Sequence, residues 1–139
     1  MKQIAVFLAE GFEEIEGLTV TDLLRRAGVT VTNVSVTGEK TVHGSHGIGV
    51  EADALFEEME FEGMDMLVLP GGMPGTKHLK EHRDLCALLK DFMQKSVIWQ
   101  QSVQRLLYLE NWDFWKEEKH AVIRAWSQDF LTQRQMKSR

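Results

Sequence analysis

Four carboxylates crowd into one short segment, Ala9-Glu-Gly-Phe-Glu-Glu-Ile-Glu16. A carboxylate at the start of a helix can complement the helix dipole or poise a neighbouring nucleophile. Glu13 and Glu14 are expected as dipole partners or solvated side chains. A second candidate is Leu69-Pro-Gly-Gly-Met-Pro-Gly75, whose Gly71 and Gly72 on their own read as a plain turn after a strand. A nucleophile is harder to find. Cys86 is the one cysteine, and beside Leu85 and Leu88 it reads as a small buried hydrophobe. His78 and His82 stand four apart and could share a metal, but no third ligand accompanies them. They are expected at the surface, as are His43 and His46 around their glycine turn.

The elements that must carry these residues follow from apolar periodicity. Ile4 to Ala9 is a continuous apolar run, as a parallel strand buried on both faces requires. Residues 13–27 read as a helix with Ile15, Leu18, Val20, Leu23, Leu24 and Ala27 apolar, Arg25 and Arg26 in its last turn and Gly28 as its stop. Residues 29–36 alternate as a second strand. Residues 41–51, with three glycines, read as an irregular hairpin, and Asp53 as the cap of a brief helix through Met59. Residues 66–69 form a third buried strand, and residues 76–94 one helix with Leu79, Leu85, Leu88, Leu89 and Phe92 on its apolar side. Strand, helix, strand, excursion, strand, helix predicts an α/β fold with a doubly wound, mostly parallel sheet. In such sheets ligands sit at the carboxyl ends of strands, where both candidate loops lie.

Composition narrows the classes. With 43% hydrophobic and 27% charged residues and a net charge of −5, an ordinary globular domain is expected, with no nucleic acid and no membrane among its partners. The apolar run at Ile4 is too short for a signal peptide, and one cysteine excludes an internal disulfide; a cytoplasmic protein is expected. The chain is uneven, however. All 11 glycines and both prolines precede Ser96, whereas all four tryptophans follow it. After Ser96, seven Lys and Arg face five Asp and Glu, reversing the sign of the charge.

The two loop motifs, in this order and in this strand–helix context, resemble the ThiJ/PfpI family of the class I glutamine amidotransferase-like superfamily, and most of all its parkinsonism-associated deglycase branch. Leu23-Leu-Arg-Arg-Ala-Gly28 before a Val-rich strand is similar to that branch too. The resemblance covers residues 1–95. It implies a flavodoxin-like three-layer sandwich and a cysteine enzyme without metal or organic cofactor. Glu16 would be the acid partner of the thiolate, and the Gly71 and Gly72 amides would form an oxyanion hole. It implies small 2-oxoaldehydes or their protein adducts as substrates (glyoxalase III or deglycase chemistry), and admits a homodimer for the intact form. An amidase or protease-like hydrolase is the alternative within the superfamily.

After Lys95 the family pattern calls for a strand and then a cysteine on a strand-to-helix elbow, in a string such as A-I-C-A-A-P. The chain instead continues Ser96-Val-Ile-Trp-Gln-Gln-Ser-Val-Gln-Arg-Leu106, with no cysteine and no further central strand of family-like pattern. The genetic code suggests why. If each true codon joins the third base of one residue to the first two of the next, Trp99–Gln100 forces alanine, and Gln100 to Leu106 then allow A-I-C-A-A-P. Leu106 to Trp115 allow T-V-L-G-K-L-G-F-L, and His120 to Ser127 allow C-C-Y-P-G-L-E. A single offset restores the missing glycines, prolines and cysteine. Residues 1–95 are therefore read as the amino-terminal part of the domain, truncated there, and 96–139 as a frameshifted or aberrant out-of-family tail, helical or poorly packed. Such a chain lacks its nucleophile and is expected to be inactive. The alternative is a non-enzymatic fragment or chaperone-like binding protein, whose tail is a genuine C-terminus.

Overall fold

The computed structural model describes residues 2–93 and 97–100. Its centre is β1 (Gln3–Leu8), paired in parallel on one side with β2 (Thr30–Ser35) in register from Gln3↔Thr30 to Leu8↔Ser35. On the other side β6 (Met66–Leu69) pairs in parallel from Ile4↔Met66. A short β5 (Ala54–Leu55) lies outside β2, and β7 (Val97–Gln100) outside β6. The sheet order is β5-β2-β1-β6-β7, all parallel. β3 (Thr41–His43) and β4 (Gly49–Glu51) form a separate antiparallel hairpin.

β1 reads as an unbroken apolar run because both its faces are covered. Ala5, Phe7 and Ala9 face Leu79, Leu85, Leu89 and Phe92, whereas Ile4, Val6 and Leu8 face Val20, Phe12 and Val42. The helices thus divide between the two faces: α1 (Glu14–Arg26) on one, and α2 (Gly75–Glu81) with α3 (Arg83–Met93) on the other. This is the doubly wound arrangement. Fully buried side chains such as Phe7, Leu8 and Leu67 each contribute about 1.5–3 kcal/mol of transfer free energy. α1 begins where Glu13 accepts the Ile15 N–H and ends before Gly28, whose φ of +83° lets the chain turn out of the helix.

Three sequence expectations are corrected. The single helix over 76–94 is two helices, because His82 is extended and its Nδ1 accepts the Leu85 N–H at 3.0 Å. His82 therefore starts a new helix, while both helices keep their apolar residues on the same side. Asp53 does not cap a helix: its Oδ2 accepts from the Asn33 N–H (2.7 Å) and from Arg25 (2.8 Å), and the chain runs on as β5 before a 3-10 turn at 56–58. Finally, a further strand does follow Lys95, with β7 in register with β6 from Met66↔Val97 to Leu69↔Gln100. Val97, Ile98 and Trp99 suit a strand, and parallel pairing needs no glycine or proline. The rest of the expected tail, residues 101–139, lies outside the described residues.

Candidate functional site

The chain leaves β1 for β2 on one side, and β6 lies on the other, so the loops after β1 and β6 flank the switch point of the sheet. Those loops are the two motifs, and they are laced together through backbone groups. Glu13 N–H donates to Gly71 O (2.8 Å) and Gly75 N–H to Gly11 O (3.1 Å). The Gly71 N–H donates to Glu16 Oε2 at 2.6 Å, a short hydrogen bond. Glycine is required at the crossing. Gly72 has a φ of +98°, and a Cβ there would lie 2.8 Å from Phe12 C and 2.9 Å from Gly11 O.

The structure therefore brings Glu16 and the Gly-Gly turn together at the carboxyl edge, with one difference from expectation. The Gly71 N–H is already engaged by Glu16, so Gly72 supplies the N–H that donates to no acceptor among the described residues. β7 ends beside Leu69 at the same edge. The position that follows it, where a nucleophile elbow is expected, lies outside the described residues and carries Gln101-Ser102-Val103.

Cys86 is elsewhere, half-buried on α3, its Sγ 3.2 Å from Lys80 O. Burial pushes its thiol up, against the pull of the Lys90 charge. That is the environment of an inert thiol.

Glu14 departs most from its sequence reading. It is 4% exposed and anchors the β3–β4 turn. Its Oε2 accepts from the His46 N–H (3.0 Å) and the Ile48 N–H (3.4 Å); its Oε1 lies 3.3 Å from Ser45 Oγ and 3.1 Å from His46 Nδ1. Burial works to raise its carboxyl, but hydrogen bonds from its own backbone, the His46 ring and the His46 and Ile48 amides outweigh it and hold the group below its ordinary range. Together with Glu13, Glu14 and His46 could offer three ligand atoms within 4.8 Å of one another, yet both Glu14 oxygens are engaged in these bonds. Glycine at 44, where a Cβ would collide with the Glu14 carboxyl, was the one sequence signal of this anchor.

The remaining histidines do not act together. His78 Nδ1 meets Glu10 O at 2.7 Å, so that nitrogen carries the proton; His82 Nδ1 accepts from backbone, so its proton is on Nε2. His43 pairs with Glu10. A cleft of about 360 Å³ opens between His78 on α2, His82 in the break after it, and Ala9 and Val36 at the ends of β1 and β2. Ala9 and Glu10 of the first motif line it, whereas Glu16 and the Gly-Gly turn do not.

Comparison with known proteins agrees with this architecture. Protein DJ-1 homolog B of Arabidopsis thaliana is 36% identical over 89 residues, which are 64% of this chain and 20% of that protein. The Parkinson disease protein 7 homolog of Danio rerio is 35% identical over 91 residues, 65% of this chain and 48% of that protein. The chain thus spans less than half the length of these relatives. Among solved structures, oxidized Toxoplasma gondii DJ-1 superposes with a TM-score of 0.74 at 34% identity, covering 79% of this chain and 60% of that one. Drosophila melanogaster DJ-1beta superposes with a TM-score of 0.71 at 29% identity, covering 76% and 59%. The profile of the DJ-1/PfpI family, the ThiJ/PfpI family of the sequence reading, matches residues 2–132. With both loop motifs in their places on a shared fold, the chain belongs to the DJ-1/PfpI family.

Proposed function

We propose that this chain carries the acid and the oxyanion half of a cofactor-independent cysteine site for small 2-oxoaldehydes or their protein adducts, and lacks the nucleophile that would complete it. The observation that carries this reading is the Glu16 carboxylate 2.6 Å from the Gly71 nitrogen at the carboxyl edge, in the crevice where such sheets bind ligands. In the intact form a thiolate would attack the aldehyde carbon, its electron pair forming the C–S bond. The carbonyl electrons would move onto oxygen, facing the Gly72 N–H. Glu16 would hold a proton next to the thiol and so poise it.

In this reading the tail is a shifted frame. The Arabidopsis thaliana and Danio rerio relatives align over 89 and 91 residues, while the family profile reaches residue 132; the codon offset from Trp99 onward is what favours the shift. The test is methylglyoxal loss with purified protein, without metal or glutathione. The original chain is expected to be inert and a chain with its frame restored near codon 96 active. Exchange of the elbow cysteine for serine should abolish the gain, and Glu16→Gln should weaken it strongly. Equal activity in original and repaired chains refutes the reading.

A binding role has its own support. Ile15 (73% exposed) in the first turn of α1, and Ile48 (54%) and Met73 (45%) on loops, leave large apolar side chains around the site, a surface suited to a protein partner, including a second copy. Sedimentation of the repaired protein as a monomer would remove the homodimer.

A further inference from the structure

We propose that Glu14 is a positioning residue for the Glu16–Gly71 pair: its buried carboxylate holds the β3–β4 turn against the 10–16 loop, and the turn fixes where Glu16 meets Gly71. The coupling rests on the proposed function only for what Glu16 does chemically.

The 10–16 loop is bonded on two sides. Towards the hairpin, Gly11 N–H donates to His43 O and Ser45 N–H to Phe12 O, both at 2.8 Å. Towards the Gly-Gly turn run the Glu13–Gly71 and Gly75–Gly11 bonds. Glu14 and Glu16 share the first turn of α1, and two residues of helix separate their directions by about 200°. Glu14 therefore reaches the hairpin while Glu16 reaches Gly71, and that first turn is braced between the two. Burying a carboxylate is costly unless its lone pairs are satisfied. Here the backbone N–H groups of His46 and Ile48, with Ser45 Oγ and the His46 ring, satisfy it. Among the described residues, Glu13 and His46 can bring a ligand atom within 4.8 Å of its carboxylate, and Glu16 lies two residues on in the same helical turn. Gly44 completes the fit, since any side chain there would enter the space of the Glu14 carboxyl.

Such a brace makes a prediction of sign. Deleting the Glu14 charge alone removes a like charge near Glu16 and should move its titration midpoint down. Losing the pose removes the Gly71 donor from the ionised carboxylate and should move the midpoint up. The experiment is amide NMR on the full chain, following the Gly71 amide shift against pH and amide exchange in the parent and in Glu14→Gln. The expected result is exchange about tenfold faster at His46, Ile48 and Gly71, an upward midpoint at Gly71, and unchanged exchange at Val68 in β6. If Glu14→Gln does not fold, Gly44→Ala displaces the same carboxylate from the other side and is read in the same way. Opening at His46 and Ile48 with Gly71 exchange unchanged, or with its midpoint level or lowered, overturns the proposal. None of these signals depends on catalysis, so an inactive repaired enzyme would leave them standing.

Discussion

Replacing Gly72 with alanine tests the crossing of the two loops directly. The position has a φ of +98°, and an added Cβ would meet Phe12 C at 2.8 Å and Gly11 O at 2.9 Å, as well as Glu13 N. Those atoms are backbone and cannot swing aside. The left-handed conformation costs an L-residue roughly 1–2 kcal/mol. Pushing Glu13 away also sacrifices its 2.8 Å bond to Gly71 O, worth about 1 kcal/mol. Gly72→Ala should therefore destabilise by about 2–3 kcal/mol. Two controls separate the contributions. Gly38 has a φ of +86° with nothing within 4 Å, so Gly38→Ala keeps only the conformational cost, about 1–2 kcal/mol less a small gain from a stiffer unfolded chain. Gly63 has neither a positive φ nor a neighbour within 4 Å, and Gly63→Ala should stabilise by about 0.4–1 kcal/mol. Urea unfolding followed by far-ultraviolet circular dichroism gives the ranking. If Gly72→Ala costs no more than Gly38→Ala, the loops do not cross as described.

Leu85 is fully buried between α3 and the sheet, so Leu85→Ala should cost about 2–5 kcal/mol in the same urea assay. Thr21 Oγ1 lies 2.8 Å from Asn33 Oδ1 in a buried setting; Thr21→Val strands the Asn33 side chain and should cost about 1–3 kcal/mol. The Glu14 carboxyl is held below its ordinary value of 4.5. Its stabilisation should be present above that value and fade as pH falls through the lowered folded value, seen as loss of His46 and Ile48 amide protection in acid; Glu14→Gln should show no such acid step. Burial raises the Cys86 thiol, so it should react with a disulfide reagent at neutral pH more slowly than an unfolded cysteine peptide. A faster reaction would contradict the described environment.

The sheet was legible because period and chemistry agreed. Ile4 to Ala9 admits only a strand covered on both faces, and Met66 to Leu69 repeats the argument. The break at His82 was hidden because Leu79 and Leu85 serve one face whether the helix is continuous or broken; the deciding bond, Leu85 N–H to His82 Nδ1, is local and leaves no period. β5 was invisible for a related reason. Two residues carry no pattern, and Asp53 resembles a cap until β2 claims it. At the site, Glu16 and Gly71 could be named from their motifs, but not the bond between them. That bond depends on the angle at which two loops meet, as does the burial of Glu14, whose partner turn lies some thirty residues away.

The strand order also fixes a timetable for synthesis. β1 leaves the ribosome first, yet it is the middle strand, and its partners begin at Thr30 and Met66. At about 5–20 residues per second, β6 follows β1 by roughly 3–12 s. For that interval the most apolar stretch of the chain has neither edge nor face fully covered, and no local hairpin can shelter it, because parallel neighbours must be delivered by crossovers. A nascent chain of this design leaves Ile4 to Ala9 exposed until those neighbours arrive. A ribosome pausing between residues 35 and 66 would lengthen that exposure directly.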